Sequence, residues 1–321
     1  MDFLYDAIPE DFKRLETTLD HAYHGGGGGL MREVAEFVAE SRGKRLRPAI
    51  VCLAARATGI DPASSHHIAL GAAIELFHVA TLLHDDVIDK APTRRGRDTV
   101  NARWGDDVAI LYADYLYATS FDLALSTLNP ATLRVLTRAT QQMTEGEFLQ
   151  VERRGQWLTE QDYLDIVTKK TAVLFSAAAS LGALVGGATP TRVAAFARYG
   201  LEFGIAFQIT DDTLDYEAQT DRWGKRVGSD LAEGKQTLPL LRTLAAASEE
   251  DRKALLKVLD NGRDFATVHG YVQRYAGIAY SLDRAGDYCR GALSALEDTG
   301  ASNEAADLLR QVAGQVLVRT H

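Results

Sequence analysis

Two stretches of the chain set three carboxylates each into otherwise apolar sequence. "LLHDDVID" carries Asp85, Asp86 and Asp89, and "FQITDDTLDY" carries Asp211, Asp212 and Asp215. Both read Asp-Asp-x-x-Asp. Desolvating a carboxylate is costly, so such placement needs a compensating partner. On a helix, residues i and i+4 share a face with Cβ atoms about 5–6 Å apart. Asp85 therefore pairs with Asp89, and Asp211 with Asp215. Paired oxygen ligands suit a hard divalent cation, Mg²⁺ above all. One acidic cluster is as often a solvated helix face, but two copies on apolar helices point to a shared task. If the two helices face each other, their carboxylates repel unless cations bridge them. Mg²⁺ takes few carboxylates and completes its shell with substrate phosphates, so the expected ligand is a diphosphate.

Basic groups flank both motifs. "RGKRLRP" supplies Arg42, Lys44, Arg45 and Arg47, and "PTRRGR" supplies Arg94, Arg95 and Arg97. "WGKRVGSDLAEGK" adds Lys225, Arg226 and Lys235 after the second motif. Guanidinium forks match phosphate oxygens, and lysine adds a point charge. Any one patch reads as solubilising surface; together, beside the acids, they favour diphosphate binding.

The elements that must hold these residues are helices. "MREVAEFVAESRG" places Val34, Phe37 and Val38 on one face and ends at Gly43. "PAIVCLAARATGI" starts on Pro48 and stops at Gly59. The stretch from Asp61 to Asp89 opens on Asp-Pro and is apolar all round, as expected of a helix at the centre of a bundle. Further helices are expected over 105–128, 131–152, 159–186, 190–217, 235–246, 249–260, 263–295 and 301–319. No convincing period-2 strands occur. The "HGGGGG" tract, His24 to Gly29, reads as a linker and lacks the features of a phosphate loop. An all-α, single-domain bundle of ten or more helices is expected over residues 1–321.

Composition agrees with this. The 321 residues are 46% hydrophobic with only 7 Pro, enough for a sizeable core. A net charge of −9 argues against non-specific nucleic-acid binding. Cys52 and Cys289 form no zinc or disulfide pattern and read as core-filling thiols. The acidic N-terminus does not look like a secretory signal, and no apolar run is long enough to span a membrane. A cytoplasmic location is expected.

The chain resembles the trans-isoprenyl diphosphate synthases of the polyprenyl synthetase family. The resemblance rests on "GKRLRP", "HVATLLHDDVIDKAPTRRG", "GEFLQ", "KKTAVLF" and "FQITDDTLDY…WGKRVGSDLAEGK", in the family's order from Gly43 to Leu241. It implies a deep central cavity in the bundle, a homodimer, and head-to-tail condensation of isopentenyl diphosphate with an allylic diphosphate. It also implies about two or three Mg²⁺ per site. By position, Lys44, Arg47, His78 and Arg95 would bind isopentenyl diphosphate. Asp85, Asp89 and Asp211 would hold Mg²⁺, with Asp86, Asp212 and Asp215 as ligands or as partners behind them. Arg94, Lys170, Lys225 and Lys235 would neutralise the allylic diphosphate, and Thr171 and Gln208 would border the developing cation. One departure is Ala113-Asp114 in "LYADYLY", where the family commonly has Gly-Asp.

Product length is expected to depend on Phe77, Ala80 and Thr81, one to two turns before Asp85. Ala80 and Thr81 are small, which leaves room for growth, and Phe77 could floor the cavity or belong to the core. Each helical turn of about 5.4 Å is close to one isoprene unit. The expectation is a long product of roughly C30–C50, a quinone side-chain precursor, with geranylgeranyl or farnesyl diphosphate as alternatives. A di-iron bundle would need a second copy of Glu75-x-x-His78, which is missing. A class I terpene cyclase would pair one Asp-rich motif with an Asn/Ser/Glu motif. A non-catalytic subunit would have lost the acids.

Overall fold

The computed structural model describes residues 3–25, 27–41, 43–94, 96–217 and 228–318. Among these residues the chain is helical almost throughout; the only sheet pairs Thr93–Arg94 with Arg97–Asp98. The all-α expectation holds. The glycine tract falls between helices Pro9–His24 and Leu30–Glu40.

The chain divides into two compact units. One comprises Met1–Thr140, Leu174–Gly200 and Ala295–Val312; the other comprises Gln141–Val173, Leu201–Ser294 and Ala313–His321. The divisions fall largely inside helices, such as Pro130–Glu152 and Pro190–Glu217, rather than at linkers.

Helix His66–Ile88 is the spine of the first unit. Leu70, Ile74, Leu76, Phe77 and Ala80 are completely buried, each large apolar side chain contributing about 1.5–3 kcal/mol. It packs against helices Leu46–Ala57 and Asp106–Leu125. Its start lies later than the expected Asp61. Asp61 instead makes a turn, its Oδ1 accepting from Ala63 N at 2.9 Å and its carbonyl from Ser64 N at 2.9 Å. By length and composition alone this helix could cross a membrane, but 67% of its most apolar stretch is buried in the fold. Helix Val173–Val185 crosses helix Leu46–Ala57 closely at Gly182, where a Cβ would sit 2.2 Å from the Val51 carbonyl oxygen.

In the second unit Tyr163, Leu164, Val167, Ile205, Ile209, Leu238 and Leu241 form one cluster. A second cluster gathers Tyr216, Leu231, Leu240, Leu255, Val268 and Val272. Two expected helices are interrupted. The segment 159–186 is α-helical over Glu160–Val167, widens into a π-turn over Thr168–Ala172, and resumes α geometry over Val173–Val185. The segment 263–295 breaks between Phe265–Arg274 and Gly277–Asp298, where Ala276 takes φ 54° and ends the first helix. Cys52 and Cys289 are free and buried, as expected. Burial pushes the Cys289 thiol up to about 11, so it stays protonated and unreactive at neutral pH.

Candidate active site

The first acidic motif ends helix His66–Ile88. Asp89 N–H donates to the Asp85 carbonyl at 2.8 Å, so helical geometry persists through Asp89 and the two carboxylates share a face. Asp85 is half-buried and Asp89 exposed. Asp86 is buried, and its Oδ1 accepts from Arg94 Nε at 2.8 Å. Burial raises the Asp86 pKa above the ordinary carboxylate value, and Arg94 opposes that rise. Arg94 thus commits its Nε to Asp86.

The turn after the motif is locked by residues that the sequence did not reveal. Lys90 takes φ 50°, and Asn101 Nδ2 donates to the carbonyls of Asp86 and Ala91 at 3.3 Å each. Thr99 caps the following helix while its hydroxyl donates to the Ala91 carbonyl at 2.7 Å. Thr99 ahead of a helical stretch was the one available signal. Arg97 is turned to other work: it pairs with Glu40 at 2.7 Å and lies over the Phe37 ring.

Of the residues expected to bind isopentenyl diphosphate, Lys44 is exposed and His78 half-buried. The Arg47 guanidinium sits 4.3 Å from the centroid of the Phe175 ring, a contact that orients it. Arg42, Arg95, Lys225 and Arg226 lie outside the described residues. Among the expected length-setting residues, Ala80 and Phe77 are fully buried. Thr81 donates its hydroxyl back to the His78 carbonyl at 2.7 Å. Phe77 packs edge-on against Tyr117, ring centroids 4.9 Å apart. Tyr117 was not anticipated; it lies one turn beyond Ala113, which is fully buried on helix Asp106–Leu125.

The second motif lies on helix Pro190–Glu217 and repeats the arrangement. Asp211 is half-buried and Asp212 buried. Asp212 Oδ2 accepts from the Tyr163 hydroxyl at 2.6 Å, and Oδ1 accepts from Gln208 Nε2 at 2.7 Å. Gln208 Oε1 in turn accepts from the Thr171 hydroxyl at 3.0 Å. Burial, reinforced by Asp230, pushes the Asp212 carboxyl up to about 7 against the pull of these donors. Thr171 stands in the π-turn, as does Lys170. Lys170 Nζ is held by Gln150 Oε1 at 2.9 Å and Glu147 Oε1 at 2.7 Å. Both partners belong to "GEFLQ". Gly146 of that motif permits the approach, since a Cβ there would lie 2.8 Å from Lys169 Cβ.

Of the two roles expected of Asp215, metal ligand or partner behind the ligands, its contacts favour the second. Its Oδ1 accepts from Ser229 N at 3.2 Å and Ser229 Oγ at 3.0 Å, while Oδ2 accepts from Asp230 N at 3.0 Å. Both oxygens are engaged with the turn that opens helix Ser229–Ala232, so Asp215 braces that turn. Lys235 pairs with Asp230 at 2.9 Å and Glu233 at 2.8 Å. Burial works against the Lys235 charge, but these carboxylates outweigh it and raise its pKa. Asp230 and Tyr163 are site residues that the sequence reading missed.

Among the described residues, no cluster of three carboxylate, imidazole or thiol side chains is arranged to hold a metal by itself. Asp85 and Asp89 nonetheless offer hard oxygen donors from one helix face, and Asp211 offers another from its own unit. Such donors fit a hard divalent cation that draws its remaining ligands from phosphate and water.

The chain aligns with known proteins along most of its length. The Polyprenyl synthetase family profile matches residues 29–274. A short chain isoprenyl diphosphate synthase of Methanothermobacter thermautotrophicus is 37% identical over 295 residues, covering 89% of this chain and 90% of that one. An octaprenyl diphosphate synthase of Escherichia coli is 38% identical over 234 residues, 73% of this chain and 72% of that one. A crystal structure of polyprenyl synthase from Caulobacter crescentus, complexed with calcium and isoprenyl diphosphate, superposes with a TM-score of 0.91. It is 33% identical and covers 100% of this chain and 98% of that one. With both acidic motifs, the GEFLQ lysine clasp and this extent of similarity together, the chain belongs to the polyprenyl synthetase family.

Proposed function

We propose that the protein condenses isopentenyl diphosphate head-to-tail with an allylic diphosphate to give a trans-polyprenyl diphosphate, using Mg²⁺. The observation that carries this reading is the division of labour repeated in the two motifs. In each, the second aspartate is buried and clamped by protein donors, while the first remains partly exposed to take a cation. Asp85, Asp89 and Asp211 would hold Mg²⁺, which supplies Lewis-acid stabilisation of the departing diphosphate.

The chain's own residues do the rest. Lys170 and Lys235 offset charge on the leaving group, together with Lys225 and Arg94. Lys44, Arg47, His78 and Arg95 seat the isopentenyl diphosphate. The allylic C–O bond breaks, the isopentenyl alkene attacks the allylic C1, and the new C–C bond forms. A proton then leaves the isopentenyl C2, and the released diphosphate accepts it. Thr171, whose hydroxyl hydrogen is spent on Gln208, presents its oxygen lone pairs as an acceptor toward the allylic cation. Apolar walls keep water from that cation.

Buried Ala80 and the folded-back Thr81 hydroxyl support a long product, roughly C30–C50, with the growing tail reaching toward Phe77 and Tyr117. The two units would act as one isoprenoid synthase domain. A cytoplasmic homodimer is part of this reading: Leu111 and Leu125, on one face of helix Asp106–Leu125, are 68% and 53% exposed. Light scattering of the purified chain tests the dimer. Incubation with labelled isopentenyl diphosphate and several allylic primers, with Mg²⁺ or with EDTA, tests the reaction. Chain-elongated products only when Mg²⁺ is present support it, and no elongation with any primer overturns it.

A further inference from the structure

Helix Leu46–Ala57 begins on an arginine in an unusual conformation. Arg45 has φ 49° and ψ 33°, left-handed geometry that strains a residue bearing a Cβ and persists only where neighbours enforce it. Its side chain is 3% exposed and forks between two carboxylates. Nε donates to Glu16 Oε1 at 2.9 Å and Nη1 to Glu75 Oε1 at 2.7 Å. Glu75 is itself only 6% exposed.

Neither residue has a task in the chemistry described above, yet each stands beside groups that do. Arg45 lies between Lys44 and Arg47. Glu75 lies three residues before His78 on helix His66–Ile88, so the two occupy one helix face. A single buried ion pair therefore joins the start of helix Leu46–Ala57, where Arg47 lies two residues after Arg45 and Lys44 one before it, to the helix of His78. A buried pair is a poor source of net stability, since apolar replacements often do as well. A planar guanidinium fork held at both ends is well suited to fixing a geometry.

We infer that the Arg45–Glu75 pair, backed by Glu16, is a positioning device that sets the spacing of Lys44, Arg47 and His78 for the homoallylic diphosphate. The inference rests on the prenyl-transfer reading. Loss of the pair weakens capture of isopentenyl diphosphate specifically, because none of these groups serves the allylic substrate.

The test uses the full chain with Glu75→Gln, Arg45→Lys and the double variant. KM for each substrate, kcat and Tm are measured, along with calorimetric binding of isopentenyl diphosphate in EDTA. The expected result is a rise of about tenfold in KM and in dissociation constant for isopentenyl diphosphate, with the allylic KM within about twofold of the parent. The double variant should cost no more than either single one, as for residues acting as a unit. Should Glu75→Gln fail to fold, Arg45→Lys still decides the matter, because it keeps the charge and removes only the fork. A lowered Tm with unchanged KM and dissociation constant for isopentenyl diphosphate marks a merely structural pair and overturns the role. A parent chain that makes no prenyl product overturns the function beneath it, whereas an active parent with unaffected variants overturns the positioning role alone.

Discussion

The Tyr163 hydroxyl donates to Asp212 Oδ2 across 2.6 Å, and both groups are buried. Burial and Asp230 push the Asp212 carboxyl up to about 7, so Tyr163 and Gln208 hold an anion that the surroundings otherwise disfavour. The folded-state pKa lies above the unfolded value, so the folded state binds the extra proton between about pH 4 and pH 7. Stability of the metal-free protein should therefore fall as pH rises through that window. Thermal melts in EDTA at pH 5, 6, 7 and 8 check the slope. Asp212→Asn should flatten it and raise Tm at pH 8 while reducing turnover. A pH-independent Tm in the parent would contradict the assignment.

Removing the Tyr163 hydroxyl separates the two influences on Asp212. Tyr163→Phe deletes a donor to the anion and should move the Asp212 titration to still higher pH, by about one unit for one hydrogen bond. Carbon-13 NMR of aspartate carboxyls in the metal-free protein reads this directly. The acid limb of the pH–rate profile should move the same way. A downward shift in Tyr163→Phe would mean that the hydroxyl does not stabilise the carboxylate.

Asp215 and Asp211 should respond differently to the same change. Asp211→Asn removes a proposed cation ligand and should raise the Mg²⁺ concentration needed for half-maximal rate by about tenfold or more. Asp215→Asn removes acceptor capacity for Ser229 and the Asp230 amide, so it should chiefly loosen the turn at 228–230. Its expected effect is a lower kcat and a lower Tm, with the Mg²⁺ dependence close to that of the parent. Equal shifts in Mg²⁺ dependence would restore Asp215 to the ligand set.

How much of the site could be read beforehand follows from the range of each interaction. The acidic motifs were legible because i and i+4 carboxylates in apolar sequence are local, and the helix carrying Asp85 announces itself by apolarity. Asp215 as a brace was not legible, since Ser229 and Asp230 reach it only after the chain turns back. Asp230 carries no local pattern in "GSDLAEGK" that marks it as a neighbour of Asp212 and Asp215. The π-turn at Thr168–Ala172 leaves no trace in the hydrophobic pattern, because widening a helix by one residue changes backbone bonding before it changes composition. The tie of Arg97 to Glu40 joins residues 57 apart in the chain, beyond the reach of any local pattern.

Gly146 gives that π-turn a testable consequence. Any Cβ at 146 meets Lys169 Cβ at 2.8 Å and Lys170 Cγ at 3.1 Å, so Gly146→Ala must push the helix of Glu147 and Gln150 away from Lys170. Overpacking of this kind costs about 1–3 kcal/mol. Turnover should fall by more than stability alone accounts for, because Lys170 loses the clasp that holds its ammonium. Activity is to be compared with the folded fraction at a temperature well below Tm. A variant with parental kcat would show that the clasp is dispensable.

Product length should follow the packing around Phe77. Ala80 is fully buried one turn nearer the acidic motif than Phe77, so Ala80→Phe places a ring across the proposed path of the tail. Its products should be shorter than those of the parent. Phe77→Ala removes a ring that now packs 4.9 Å from Tyr117, leaving space that a longer tail can enter. If the pair forms one floor, Tyr117→Ala lengthens the product as well, and the double variant extends it further than either change alone. Phe77 buried purely in the core predicts the opposite signature: Tm drops by several degrees in Phe77→Ala, since such a cavity costs about 3–5 kcal/mol, with the product unchanged. Chromatography of dephosphorylated products from all four variants, set beside their melting curves, separates a floor from a core residue.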